Sequence, residues 1–135
     1  MPSADELNAF LRQEFPQNAS HVESIGPMRA TVRQRIGFSA LRPGGTVSGP
    51  VMMGLADVAL YVAILGEIGI VPLAVTTSLS FNFMRKPVAD RDLIGECRLM
   101  KLGRTLAVGE VEIFSEGDPQ PVAHAVGTYA IPPRR

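Results

Sequence analysis

Asp57 stands alone in a fifteen-residue run, residues 51–65 (VMMGLADVALYVAIL), whose other members are all apolar, glycine or tyrosine. A carboxylate in such a setting needs a partner or a task. Buried without a partner it costs several kcal/mol or its pKa moves upward. The residues leave two readings open: a structural carboxylate paired with an arginine or a backbone group, or a carboxylate that acts as acid–base or nucleophile. Just upstream, Ser48, Gly49 and Pro50 have the residue types of a helix start, with Ser48 or Gly49 as N-cap and Pro50 in the first turn. Ser48 is read as a cap and not as a nucleophile, since no GxSxG elbow surrounds it and no triad histidine can be assigned. Tyr61 follows Asp57 by one turn and shares its helix face, either lining a pocket or packing.

The elements that must position these groups follow from periodicity. A chain of 135 residues is read as one domain spanning 1–135. Within it, Leu7, Phe10, Leu11 and Phe15 recur at helical spacing before Pro16, so residues 1–18 supply a covering helix. Met28, Ala30, Val32, Ile36 and Phe38 alternate with Arg29, Thr31, Arg33, Arg35 and Gly37, and Pro27 separates two short strands there. Arg42 to Gly45 (RPGG) is a turn. The apolar helix runs to about Leu65, closed by Gly66, Gly69 and Pro72. Beyond Pro72 the period becomes two over about a dozen residues: Leu73, Val75, Thr77, Leu79, Phe81 and Phe83 on one face, with Ala74, Thr76, Ser78, Ser80 and Asn82 on the other. Residues 93–102, 105–114 and 121–131 are further strands, and these last four strands are expected to form a meander. The result is an α+β domain with one antiparallel sheet, curved around a helix that is apolar nearly all round.

Composition narrows the partners. Thirteen basic and thirteen acidic side chains give a formal net charge of zero, so no basic footprint for nucleic acid or an anionic membrane is present. The apolar run is shorter than the ~20 residues a membrane-spanning helix needs. Cys97 is the only cysteine, which leaves no intramolecular disulfide and no zinc spacing, and a cytoplasmic location is expected. No GxGxxG or Walker motif occurs. Neither His21 nor His124 is placed in the site, because each fits a solvated or hydrogen-bonded polar position. Met52, Met53 and Met84 are read as gap fillers of the core.

Four stretches carry a family resemblance: GTVSGPVMMGLAD (45–57), VTTSLSFNFMRKP (75–87), GRTLAVGEVEIFSEGD (103–118) and AHAVGTYAIP (123–132). Together they resemble the hotdog-fold acyl-CoA thioesterases of the phenylacetic-acid-degradation type, over about residues 27–132. In that family a His-Gly-Gly opens the central helix and a carboxylate follows nine residues after the histidine. Here Ser48 stands at the histidine position, Gly49 and Pro50 at the glycines, Asp57 at the carboxylate, and Arg42 where the family often has an asparagine.

The resemblance implies a hotdog fold and hydrolysis of a small or medium acyl-CoA thioester, with no metal and no cofactor beyond the coenzyme A of the substrate. It makes Asp57 nucleophile or general base, and Gly49 the backbone donor to the thioester oxygen, alone because Pro50 has no N–H. It makes Thr76 an orienting hydroxyl on the polar side of the long strand, and Ser48 and Tyr61 parts of the substrate site. Arg85, Lys86, Lys101 and Arg104, all at strand ends, would grip the coenzyme phosphates. It also implies a homodimer or homotetramer with the active site at the subunit interface. A hydratase would need a histidine near residues 42–48, where none occurs. A non-catalytic acyl-CoA binder is the alternative that the Ser48, Pro50 and Arg42 departures would suit.

Overall fold

The computed structural model describes residues 1–16, 19–36, 47–88 and 90–133. The Arg42–Gly45 turn and the Phe38 end of the second strand pattern lie outside them. Among the described residues, two helices and six strands follow in the order α1 (Ala4–Glu14), β1 (Ser20–Gly26), β2 (Arg29–Gln34), α2 (Gly49–Ile68), β3 (Val75–Phe83), β4 (Leu93–Leu102), β5 (Leu106–Ser115) and β6 (Ala123–Ala130). The strands form one antiparallel sheet, ordered β1-β2-β4-β5-β6-β3. The sheet wraps α2, as the hotdog description requires.

α2 is longer than the apolar run suggests. It continues through Glu67 and Ile68 to Gly69, whose φ of 89° ends it. At 20 residues it meets the length and composition of a membrane span, so the argument from length fails. What accounts for its apolar character is the sheet: Leu55, Leu60, Val62, Ile64 and Leu65 are all buried inside the fold. Small residues on the inner face let the sheet come this close. A Cβ added to Gly109 or Gly127, which face each other across β5 and β6, would stand 2.7 and 2.5 Å from the Leu60 methyl groups. Gly127→Ala should therefore overpack the core and destabilise the fold by about 1–3 kcal/mol, read as a lower denaturant midpoint. An unchanged midpoint would show that α2 is not held against the sheet at this pair.

The two edges of the sheet differ. At β1, the Asn8 side chain of α1 donates to the Val22 carbonyl (3.0 Å) and accepts from the Val22 N–H (2.7 Å), closing the edge beside a bulge. A Ser3–Glu6 capping box starts α1, and Leu7 and Leu11 bury its inner face. At β3 no described residue pairs with the outer edge, and Leu73, Val75 and Phe83 are 75, 54 and 52% exposed.

Two sequence expectations need correction. The last four strands are not a simple meander, because β3 pairs with β6 at the far edge and β4 pairs with β2. The connection from β3 to β4, residues 84–92, is too long for a tight hairpin and carries the chain across to β2. Second, β3 does not keep one alternation throughout. A bulge between Thr76 and Ser78 shifts its register, so Thr76 shares the helix-facing side with Leu79 and Phe81 instead of lying on the outer face. A one-residue slip exchanges faces, and the letters VTTS give no sign of where it falls.

Candidate active site

Asp57 sits on the third turn of α2, where the helix meets β3 and β6. Its Oδ1 accepts hydrogen bonds from the Thr76 hydroxyl at 2.5 Å and the Tyr129 hydroxyl at 2.8 Å, and the Tyr129 oxygen also lies 3.0 Å from the Asp57 main-chain carbonyl. Among the described residues no arginine, lysine or histidine pairs with this carboxylate. The structural ion pair left open by the sequence is thus replaced by two neutral donors. Beside them opens a cleft of about 480 Å³, lined by Asp57, Val58, Tyr61, Thr76 and Tyr129 together with Leu11 and Phe15 of the N-terminal helix.

Tyr129 was not singled out from the sequence. The signal is present in β6, where Ala123, Ala125, Gly127 and Tyr129 are the buried alternates: three small residues beneath α2, then a phenol. That β6 lies beside Thr76 cannot be read from the alternation. Tyr61 is buried as well. Its ring packs 6.1 Å from that of Tyr129 and 6.3 Å from those of Phe10 and Phe15, and its hydroxyl donates to the Pro72 carbonyl at 3.2 Å.

Burial sets the ionisation of these phenols. It pushes Tyr129 well above the ordinary 10.0, and the nearby Asp57 charge adds to the rise although the Thr76 hydroxyl opposes it. Burial, with Glu14 nearby, also raises Tyr61, and burial lifts the Cys97 thiol from 9.0 to about 12. Each group holds its proton more tightly folded than unfolded. Stability from this source is therefore complete below about pH 9 and lost as pH rises beyond it, at about 1.4 kcal/mol per pH unit for each group that ionises in the unfolded chain alone. Melting temperature should stay level from pH 7 to about 9 and then fall; a level curve to pH 11 would contradict these assignments.

The second half of the expected site lies at the other end of β3. Ser48 is the N-cap of α2, its hydroxyl accepting from the Val51 N–H at 3.4 Å, and it lines neither cleft described here. Gly49 is the first helical residue, and a Cβ there would lie 3.2 Å from the Phe83 ring. A second cleft of about 410 Å³ opens at this helix start, lined by Gly49, Met52, Phe83, Met84, Arg85 and Lys86. Eight residues at 1.5 Å each separate Gly49 from Asp57 by about 12 Å. One reacting carbonyl cannot touch both groups of the same chain.

The expected cations are likewise split. Arg85 and Lys86 follow β3 at its Phe83 end, whereas Lys101 and Arg104 belong to the β4–β5 hairpin, whose Leu106 pairs with Ala130, the partner of Val75. Arg85 is engaged by Asp118 at 3.0 Å and by Gln120. Lys86, Lys101 and Arg104 have no ion pair among the described residues. His124 lies 3.2 Å from Glu110, whose carboxyl is held low by Arg98 first and His124 second. His21 is 3.8 Å from Glu23, and neither histidine lines the two clefts. Among the described residues no cluster of metal-ligating side chains occurs.

A curved antiparallel sheet closed around an apolar helix, with a helix-borne carboxylate opening into a cleft, defines a hotdog-fold thioester hydrolase. The chain belongs to the thioesterase superfamily, whose family model matches residues 44–122. Its structure superimposes on that of a candidate thioesterase from a Silicibacter species with a TM-score of 0.90 and 49% identity, over 97% of this chain and 92% of the other. It is also similar to a mutant of the phenylacetic acid degradation protein PaaI from Thermus thermophilus, with a TM-score of 0.75 and 25% identity over 92 and 99% of the two chains. A hypothetical thioesterase from Streptococcus pneumoniae, solved with coenzyme A, shares the fold at a TM-score of 0.76 and 22% identity over 86 and 88%. No curated protein matches the chain in sequence.

Proposed function

We propose that the chain hydrolyses small or medium acyl-CoA thioesters, with Asp57 acting on the thioester carbonyl as nucleophile or as general base for water. The observation that carries this is the Asp57 carboxylate itself: held by two hydroxyls, and by no cation among the described residues, it borders a cleft. Thr76 orients the carboxylate. The coenzyme A bound to the Streptococcus pneumoniae protein supports the choice of thiol.

Gly49 completes the site in a homodimer, and the open β3 edge supplies the geometry. A second copy added antiparallel at that edge places its Phe83 end against the Thr76 end of the first, a swap along β3 of roughly 20 Å. The Gly49 N–H of one protomer then meets the Asp57 of its partner, at the start of a helix whose dipole favours a developing oxyanion. The same swap gathers Arg85 and Lys86 of one protomer near Lys101 and Arg104 of the other, where together they can hold the coenzyme phosphates. Pairing of two such dimers gives a tetramer.

Thiol release over a panel of acyl-CoAs, with Asp57→Asn beside the wild type, tests the reading. Release by the wild type that the variant lacks supports it. Tight acyl-CoA binding without any release would instead identify a binding protein.

A further inference from the structure

We infer that Tyr129 is a positioning residue which, with Thr76, occupies one oxygen of the Asp57 carboxylate and so reserves the other, Oδ2, for the thioester. This rests on the acyl-CoA hydrolase reading above. An ionised carboxylate oxygen offers about two lone-pair sites, and the Thr76 and Tyr129 hydroxyls at 2.5 and 2.8 Å fill both on Oδ1. No hydrogen bond reaches Oδ2 among the described residues.

The two donors are not independent. Thr76 and Tyr129 face each other in the β3–β6 register, so the sheet itself fixes the spacing of their hydroxyls. From the other side, Tyr129 is only 3% exposed, and its ring rests against that of Tyr61, which is tied to the Pro72 carbonyl. Its oxygen also approaches the Asp57 main-chain carbonyl at 3.0 Å, so the phenol is registered against the helix backbone as well as the side chain. A carboxylate clamped in this way presents Oδ2 in one orientation, and the rotational freedom that attack would otherwise remove is already gone. On either chemical route the work falls to Oδ2. As base it takes a proton from water while the water oxygen bonds the carbonyl carbon; as nucleophile it bonds that carbon itself. In both cases the C–S bond then breaks with its electron pair leaving on sulfur. On the first route the proton held by Oδ2 passes to that thiolate; on the second a water cleaves the mixed anhydride, releasing the acid and restoring Asp57.

The ionisable groups facing the Tyr129 hydroxyl are Asp57 and Tyr61, both from α2, with Glu14 of α1 beyond Tyr61. Tyr129→Phe keeps the ring and removes only the donor. It should lower kcat about tenfold and leave KM for acyl-CoA within about twofold, since the hydrogen bond that fixes the carboxylate's orientation is lost. Thr76→Val, on the exposed edge strand, should likewise lower kcat with KM kept, and supplies the readout if Tyr129→Phe folds poorly. Either variant with a wild-type kcat, while Asp57→Asn is inactive, overturns the inference. If Asp57→Asn itself keeps wild-type activity, the hydrolase reading falls first and takes this one with it.

Discussion

Asp57→Asn should cut thiol release from a good acyl-CoA substrate by about 10²–10⁴-fold, the range by which a positioned acid–base group accelerates a reaction. Asparagine has nearly the same shape. Its amide oxygen can still accept from Thr76 and Tyr129 at the place where Oδ1 now does, at 2.5 and 2.8 Å, so the clamp and the cleft survive. Only the negative charge and the second carboxylate oxygen are removed. The loss should therefore appear in kcat, with KM and melting temperature close to wild type, a pattern that separates lost chemistry from lost binding. A variant that keeps more than about a tenth of wild-type kcat would remove Asp57 from the chemistry, since less than tenfold lies below what such a group contributes.

The second large effect is a restoration. Gly49→Pro deletes the N–H proposed to meet the thioester oxygen, and it should be nearly inactive by itself, because losing one such donor costs about 10²–10³ in kcat. Gly49→Ala is its control, placing a Cβ against the Phe83 ring as proline does while keeping the N–H. The helix rise sets Gly49 and Asp57 of one chain about 12 Å apart, so a working site needs these groups from different protomers. Co-expression of Asp57→Asn and Gly49→Pro chains under two affinity tags yields heterodimers with one doubly damaged site and one intact site. Their kcat should return to about half that of the wild-type dimer. Heterodimers as inactive as either parent would place the whole site within one chain and refute the shared arrangement.

The contrast between the sheet edges gives this arrangement its physical basis. β1 is closed by Asn8, whose side chain occupies both backbone groups of Val22, whereas β3 offers an open edge with exposed Val75 and Phe83. Unpaired edges invite a strand from another chain, and apolar side chains beside them favour its burial. The edge that stays open in this fold is also the one that carries Thr76 at one end and Phe83, against Gly49, at the other.

Local pattern was enough to find Asp57, the helix around it, its Ser48 cap and the bounds of β4, because 3.6-residue and two-residue periods and cap residues are written into consecutive side chains. The spacing from Ser48 to Asp57 was likewise legible as a family pattern. The faces of β3 were not, since a single bulge at Thr77 turns Thr76 from the outer side to the inner and leaves no mark in composition. Nor was Tyr129, which lies 72 residues from Asp57 and meets it only because β6 and β3 are neighbours in a strand order that the 84–92 connection decides. The sequence alone therefore determined that an apolar helix wrapped by a sheet would carry a single carboxylate in its middle. Only the tertiary structure decided which hydroxyls hold it and that the glycine at the helix start lies out of its reach within one chain, because contacts between distant segments depend on sheet register and helix rise, which no local period encodes.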